Sequence, residues 1–267
     1  MKVSFGLALE YTRMYSPQLL ATVFCSILFL FTEFKLVPRL ENKRFRLDDK
    51  SIGKSHISNE LISGFEVITM SALISGLIVV WFCTFGKDSL RKFHGNWTNM
   101  KPESSSTRGH FFFISVLCLS LILSLNGAVT GCLKLVIGNF RPDFIARCEP
   151  ALDKASDLTK YYGLDICQQQ NKRLLYEGLK STPSGHSSFI TSGLGFAYYW
   201  QKQFVSSHHT RHIWCIVLIL LVMMSRITDH RHHWYDVVSG CIIGIAMIAA
   251  SWRWVFSPRS STYELPA

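Results

Sequence analysis

Residues 111–136 read FFFISVLCLSLILSLNGAVTGCLKLV, and this apolar stretch decides the fold class of the chain. A helix needs about 20 residues to cross a bilayer, and the stretch exceeds that length. Its one charged residue, Lys134, lies near its end. Because helices and closed barrels alone satisfy their backbone hydrogen bonds inside lipid, the stretch predicts a membrane-spanning helix that ends close to a charge.

Further apolar segments lie on both sides of this one. The second, third and sixth segments are long enough to span a bilayer, whereas the first, fourth and fifth are short. A short apolar segment is also typical of a buried core helix, and that alternative stays open, above all for the fifth. We predict an all-α, integral membrane six-helix bundle that forms one domain over residues 1–267. Its spans are expected at about residues 18–34, 67–85, 111–136, 188–200, 213–224 and 237–255.

The composition agrees with a membrane protein. Hydrophobic residues make up 48% of the chain and charged residues 17%, whereas charged residues average roughly 25% in soluble domains. The net charge of +10 fits an anionic membrane surface, a phosphorylated substrate or nucleic acid. The sequence contains no long basic run interleaved with aromatic residues, so we predict no nucleic-acid partner.

The eight cysteines are too few for a disulfide scaffold, and most lie in apolar segments, where cysteine behaves as a small hydrophobic residue. Cys148 and Cys167 differ because they share one polar loop. They can form a bridge if that loop faces an oxidising compartment, which the residues alone leave open.

The first cluster of polar residues joins Lys134 to Arg141. A spacing of seven residues is about two helical turns, which predicts that both cations project from one helix face toward one site. Pro142 follows and favours a helix end. A lysine that snorkels to the membrane interface and an arginine that contacts lipid headgroups are the alternative, and these residues leave both interpretations open.

The second cluster, Pro183-Ser184-Gly185-His186, comes directly before the fourth apolar segment. It places a hydroxyl, a flexible backbone amide and an imidazole at a helix N-terminus, where free N–H groups attract an anion. Ser184 is equally well explained as an N-cap. No capping role accounts for His186.

The third cluster is Ser225-Arg226, followed by His232 and Asp236. An i, i+4 spacing predicts that Asp236 accepts the Nδ1–H of His232. That hydrogen bond would leave a lone pair on Nε2, so the imidazole could act as a nucleophile or a base.

The same region also has the composition of a metal site. Histidine-rich tracts such as the one formed by Asp229, His230, His232 and His233 are typical metal-binding sequences. The neighbouring clusters are cationic, however, and would repel a divalent ion unless a phosphate came with it. We therefore predict no metal and no cofactor.

Together, the three clusters resemble the tripartite signature of the type 2 phosphatidic acid phosphatase superfamily, also called lipid phosphate phosphatases. Residues 134–148 and 44–58 are similar in particular to the fungal diacylglycerol pyrophosphate and lipid phosphate phosphatases. The resemblance extends over about residues 35–255, with the core phosphatase region at about 110–255. The signature reads Lys134-x6-Arg141-Pro142, Pro183-Ser184-Gly185-His186 and Ser225-Arg226-x5-His232-x3-Asp236.

The resemblance implies a metal-independent hydrolysis of lipid phosphates such as phosphatidate and diacylglycerol pyrophosphate. His232 would attack phosphorus and form a phosphohistidine, His186 would protonate the leaving oxygen, and Asp236 would stabilise His232. Sphingoid-base phosphates or polyprenyl pyrophosphates are alternative substrates, and a transporter or scaffold that binds lipid headgroups is the non-enzymatic alternative. The phosphate cradle would consist of Lys134, Arg141, Ser184, Gly185 and Arg226.

The resemblance also implies an orientation. The termini would be cytosolic and the site lumenal or extracellular, in an endomembrane (endoplasmic reticulum, Golgi or vacuole) or the plasma membrane. Cys148 and Cys167 would then be free to oxidise. The N-glycosylation acceptor pattern Asn96-Trp97-Thr98 would be cytosolic and unglycosylated. The excess of Lys and Arg in the site-bearing loops favours the opposite orientation by the positive-inside rule, but catalytic cations bias that count.

Overall fold

The computed structural model describes residues 5–38, 43–86, 101–151 and 157–256. Asn96 and its acceptor pattern lie outside these ranges. Each predicted apolar segment falls within one long helix, and the all-α fold is confirmed. The long helices are α2 (Ser16–Phe34), α3 (Gly64–Phe85), α4 (Thr107–Ile137), α7 (Gly185–Phe204), α8 (Ile213–Thr228) and α9 (Trp234–Phe256).

Four of these helices, α2, α3, α4 and α9, are long and apolar enough to cross a membrane. In their most apolar windows, 61% of α4 but only 11% of α2 is buried within the protein. Helix α4 is therefore central, whereas α2 lies at the periphery. Helix α8 is apolar but shorter, so the predicted count of six spans stays a prediction.

Helix α7 contacts α3, α4, α8 and α9, and its surroundings explain its low apolarity. Small and polar side chains let helix backbones approach closely inside a membrane bundle. The hydroxyl groups of Ser71 and Ser75 on α3 donate hydrogen bonds to the carbonyls of Phe189 (2.9 Å) and Gly193 (2.8 Å). The buried small residues of α7 include Ser187, Ser188, Thr191, Ser192 and Gly193.

Shorter elements connect the long helices. They are α1 (Phe5–Met14), α5 (Phe144–Cys148), α6 (Lys172–Glu177), and the two-residue strands β1 (Phe45–Arg46) and β2 (Tyr161–Tyr162). The strands pair antiparallel, with Phe45 opposite Tyr162. This ladder ties the α2–α3 loop to the α4–α7 loop.

The two loops form a cap with its own core. A disulfide joins Cys148 to Cys167, with their Cα atoms 4.7 Å apart. The structure thereby decides a pairing that the sequence left open. The apolar core of the cap consists of Phe45, Ile52, Phe144, Cys148, Ile166, Leu175 and Leu179.

The contact between α7 and α9 leaves no room for a side chain at Gly244. A Cβ there would lie 2.8 Å from the Ser188 carbonyl oxygen and 2.9 Å from Thr191 Cβ. We expect Gly244→Ala to destabilise the protein by about 1–3 kcal/mol through overpacking. The measurement is the thermal unfolding midpoint of the purified protein in detergent.

The control is Gly76→Ala in α3, where a Cβ would meet nothing within 4 Å among the described residues. Alanine is the better helix former, so this variant should unfold at or above the wild-type midpoint. Equal midpoints for the two variants would contradict the close packing of α7 against α9.

Candidate active site

A cavity of about 480 Å³ opens at the end of the bundle where α4 ends and α7 begins. The three motifs, separated by up to a hundred residues, meet there. Among the predicted site residues, Ser184, Arg226 and Asp236 are buried behind its wall. The cavity itself is lined by Lys134, Arg141, Gly185, His186 and His232.

The cavity has an apolar part as well as a cationic part. Phe29 of α2, Val67 and Ile68 of α3, and Phe189 of α7 line it beside the charged groups. Long helices therefore supply the apolar wall, and the cap loops supply much of the polar wall. Such a cavity suits a ligand with a charged group and a hydrocarbon part.

The first motif reaches the cavity in a different way from the predicted one. Helix α4 ends at Ile137, and Gly138 adopts a left-handed conformation with φ +54°. Arg141 is therefore in the following loop, so the predicted shared helix face with Lys134 is wrong, and Gly138 rather than Pro142 ends the helix. Left-handed backbone costs little at glycine, which explains the early stop.

Arg141 is held in the loop by two contacts. Its backbone N–H donates to the Gly178 carbonyl (2.8 Å), and its Nη2 lies 3.4 Å from Glu177 Oε2. Burial alone would raise the pKa of Glu177, but the charges of Arg141, Lys180 and Lys134 lower it to about 2. Glu177 is thus an ionised carboxylate that balances the cationic wall.

The second motif begins α7. Ser184 Oγ accepts the Ser187 N–H at 3.4 Å, so its hydroxyl caps the helix. A phosphate-binding role for this hydroxyl stays a prediction. At Gly185 a Cβ would lie 3.2 Å from Lys134 Nζ, so glycine lets the lysine approach the N-terminus of α7.

His186 projects from the first turn of α7 into the cavity. Its Nε2 lies 3.1 Å from Arg226 Nη1 and 3.1 Å from the Ile62 carbonyl oxygen. The histidine is therefore wedged between the third motif and the segment that precedes α3.

His232 is almost completely buried, with 2% of its surface exposed. Its Nδ1 lies 3.8 Å from Asp236 Oδ2, an ion-pair distance that is too long for the predicted hydrogen bond. The helical i, i+4 argument does not apply, because α9 begins at Trp234 and His232 precedes it. The two side chains are nevertheless neighbours.

Asp236 makes its hydrogen bonds elsewhere. Its Oδ2 accepts the backbone N–H of His233 (2.8 Å) and the hydroxyl of Ser181 (2.6 Å), and lies 3.2 Å from His233 Nδ1. Thr182 donates to Oδ1. Asp236 thus ties the start of α9 to the segment leading into α7.

Burial lowers the pKa of His232 to about 3. The neighbouring Asp236 carboxylate acts against this shift, and the charges of Arg141 and Lys134 add to it. The imidazole is therefore neutral at pH 7. A neutral imidazole keeps a nitrogen lone pair, which a nucleophile needs.

The side chains of the histidine-rich tract contact different partners and do not converge on one point. Asp229 Oδ2 accepts from Arg226 (2.8 Å) and from the Leu61 N–H (3.0 Å), while His230 Nδ1 lies 3.1 Å from the Ser55 carbonyl oxygen. Within the described residues, no three His, Cys, Asp or Glu side chains are grouped closely enough to hold a metal ion.

Sequence reasoning did not identify a second charged network, which is organised by Asp143. This fully buried carboxylate lies 2.9 Å from Arg147 Nε, 2.7 Å from His56 Nδ1 and 3.7 Å from Arg231 Nη1. His56, Arg147 and Arg231 all line the cavity. Burial acts to raise the pKa of Asp143, but the hydrogen bonds from Arg147 and His56 and the charges of Arg147 and Arg141 outweigh burial and keep this pKa below its ordinary value.

Comparisons with known proteins agree with the geometry. A family model described as the PAP2 superfamily matches residues 115–260. The chain is 49% identical over 259 residues to lipid phosphate phosphatase 1 of Saccharomyces cerevisiae, covering 97% of this chain and 94% of that protein.

Two more distant relatives match about half of the chain. Diacylglycerol pyrophosphate phosphatase 1 of the same yeast is 35% identical over 162 residues, or 57% of this chain and 56% of that protein. Lipid phosphate phosphatase 2 of Arabidopsis thaliana is 32% identical over 153 residues, or 54% and 51%. No solved structure matches the chain.

We expect Asp143→Asn to destabilise the folded protein by about 3–5 kcal/mol, because Arg147 and Arg231 would lose a buried carboxylate. The wild-type carboxylate has a lowered pKa, so its contribution is present above about pH 4 and is lost as the pH falls below it. The thermal unfolding midpoint of Asp143→Asn should therefore lie below that of the wild type at pH 7, and the two midpoints should converge as the pH is lowered.

The matched control is Asp48→Asn, which removes a carboxylate from an exposed pair with Arg46. Exposed ion pairs contribute little, so its unfolding midpoint should stay close to that of the wild type. A midpoint of Asp143→Asn no lower than that of this control would show that Asp143 does not organise the cap.

Proposed function

The chain belongs to the PAP2 superfamily, and from this premise we propose how it acts as an integral membrane phosphatase for lipid phosphates. Relatives named lipid phosphate phosphatase and diacylglycerol pyrophosphate phosphatase make phosphatidate and diacylglycerol pyrophosphate the first substrates to test. The observation that supports this best is the cavity, where two histidines and several cations meet an apolar wall.

Electrostatic stabilisation is the first part of the mechanism. A phosphoryl group gathers negative charge on its equatorial oxygens in the transition state. Lys134 and Arg141 line the cavity, and the N-terminus of α7, with the Gly185 amide, offers N–H donors to an anion. These side chains supply the charge that a metal ion supplies in other phosphatases, so turnover should continue in chelator.

The second part is the covalent step. The neutral His232 attacks phosphorus in line and forms an N–P bond while the bond to the lipid oxygen breaks. The negative charge of the bound phosphate favours the protonated form of His186, which gives that leaving oxygen a proton. His186 then takes a proton from a water molecule, which attacks the phosphohistidine and releases phosphate. Asp236 stabilises the cationic His232 at ion-pair distance, and Ser184 positions α7 as its N-cap.

The apolar wall has a role in substrate access. A lipid whose acyl chains stay in the bilayer avoids a cost of about 0.8 kcal/mol for each CH₂ moved into water. Phe29, Val67 and Ile68 come from α2 and α3, so the hydrocarbon part of the substrate would enter between these helices. Sphingoid-base phosphates and polyprenyl pyrophosphates satisfy the same chemistry and belong in the substrate panel.

The active site is proposed to face the lumen or the exterior, with the termini in the cytosol. The Cys148–Cys167 disulfide in the cap supports this orientation, because disulfides persist in oxidising compartments. Several cations that favour the opposite orientation in a charge count, including Arg141, Arg147 and Arg231, line the cavity. Their presence is explained by the site.

The decisive experiment measures phosphate release from phosphatidate and the other lipid phosphates by the detergent-purified protein in excess chelator. We expect activity that is insensitive to chelator, and His232→Ala should retain less than about one per cent of it, as for loss of a covalent nucleophile. Restoration of activity only by added divalent ion would contradict the mechanism.

His230→Asn provides the matched control. His230 neighbours His232 in sequence and has a φ of +54°, which asparagine tolerates better than most residues. Its activity should stay near the wild-type level. If His230→Asn lost as much activity as His232→Ala, the loss in His232→Ala would reflect disruption of the loop rather than removal of the nucleophile.

The covalent intermediate can be trapped directly. After rapid quenching with phosphatidate labelled in its phosphate group, the wild type should carry acid-labile label, as a phosphorylated imidazole does, and His232→Ala should carry none. Label retained by the variant would assign the nucleophile to another residue. Wild-type protein that binds lipid phosphate without label or turnover would indicate the headgroup-binding scaffold.

A further inference from the structure

Glu60 lies in the loop between α2 and α3, outside the three motifs and before the residues that the family model matches. Its side chain lines the cavity. Oε2 accepts a hydrogen bond from Arg226 Nη1 (2.7 Å), and Oε1 lies 3.2 Å from Arg231 Nη2. Oε2 is also 3.8 Å from His186 Nε2. One carboxylate thus lies among the groups expected to hold and protonate a phosphate ester.

Arg226 is predicted to bind phosphate, yet each of its three guanidinium nitrogens already has a partner. Nη1 donates to Glu60, Nη2 donates to Asp229 (2.8 Å), and Nε donates to Ser225 Oγ (3.0 Å). Arg226 is completely buried, and its Nη1 meets two groups that line the cavity, Glu60 and His186. A phosphate oxygen can therefore take the position of Glu60 Oε2 on Nη1 only if that carboxylate moves away.

Glu60 is the partner that can move. Its side chain is 27% exposed and faces the cavity, whereas the Asp229 side chain is 5% exposed. Asp229 also accepts the Leu61 N–H (3.0 Å), so its removal would leave a second buried donor unsatisfied. Displacement of Glu60 into the open cavity costs less, since water can solvate the carboxylate there.

The phosphate and the carboxylate exclude each other by charge. A phosphomonoester carries a charge of about −1.5 to −2 near neutral pH and seeks the same donors. Two anions that share one set of cations repel, and this repulsion is strong where water is largely excluded. The donors held by Glu60 are therefore available to one of the two anions at a time.

We propose that Glu60 is an internal anion that occupies part of the phosphate cradle in the free enzyme and is displaced by the substrate phosphate. This inference rests on the proposed function, because it takes Arg226 as a member of the predicted phosphate cradle and His186 as the proton donor. Without a ligand, Glu60 balances the buried charges of Arg226 and Arg231, which would otherwise be costly to the fold.

The same exchange would operate at the end of each catalytic cycle. Inorganic phosphate in a cationic, partly enclosed cavity dissociates slowly unless another group takes over its donors. The return of Glu60 supplies that group and weakens product binding. The apparent affinity for phosphate is then the intrinsic affinity multiplied by the fraction of molecules in which Glu60 has left the cradle.

The test is the dissociation constant of inorganic phosphate, measured by isothermal titration calorimetry on the full-length protein in detergent and chelator. If Glu60 leaves the cradle empty in about one tenth of molecules, Glu60→Gln should bind phosphate about tenfold more tightly. Glu60→Ala should also bind more tightly. Unchanged or weaker binding by both variants, with wild-type unfolding midpoints, would overturn the proposal and make Glu60 a support for Arg226.

Glu66→Gln is the matched control. Glu66 is exposed, and its carboxylate accepts the Ser63 N–H (2.7 Å) in the capping box of α3. Glutamine can keep that hydrogen bond. The substitution removes one negative charge, as Glu60→Gln does, at a position six residues further along the chain. The phosphate affinity of Glu66→Gln should equal that of the wild type. If Glu66→Gln bound phosphate as tightly as Glu60→Gln, the change in net charge would explain the effect, and the proposal would be overturned.

Phosphate release from phosphatidate by the same wild-type preparation separates the two hypotheses. An active wild type with unaltered affinity in both Glu60 variants rejects the inference alone. A wild type that neither releases nor binds phosphate counts against the proposed function as well.

Discussion

Buried positive charge at one end of a helical bundle is the constraint on which the rest of this structure depends. Removal of an unpaired cation from water costs several kcal/mol, so each cation needs a nearby carboxylate. Arg226, which is completely buried, pairs with Glu60 and Asp229. Arg147 pairs with Asp143. Asp143 also contacts His56 and Arg231, so the contacts that balance the charge also join the two cap loops to each other and to the α8–α9 segment.

Close helix packing brings the parts of the site together. The backbone N–H of Ser184 donates to the Asp236 carbonyl (2.9 Å), so the starts of α7 and α9 lie side by side. Glycine on α9 permits this approach, since a side chain at Gly244 would collide with α7. The small, polar character of α7 is thus explained by its place inside the bundle.

The cavity combines a charged wall and an apolar wall in one site. Cap residues supply charge, and spanning helices supply an apolar wall, so a lipid can keep its chains in the bilayer while its headgroup meets the histidines. Burial and nearby cations lower the pKa of His232, which leaves the histidine neutral. Burial acts to raise the pKa of Glu177, but nearby cations outweigh burial and leave the glutamate ionised. An imidazole stays uncharged beside cations, whereas a carboxylate near them stays charged.

The sequence by itself determined the helical segments and the three motifs at their ends, because apolar length and short-range spacing are local properties of the chain. Tertiary structure alone decided that Arg141 leaves α4 and that Asp236 bonds to His233. It also placed Glu60 beside Arg226, 166 residues away, and Asp143 beside His56, 87 residues away. Such contacts depend on how the loops pack in three dimensions, and no local pattern encodes the positions of such distant partners.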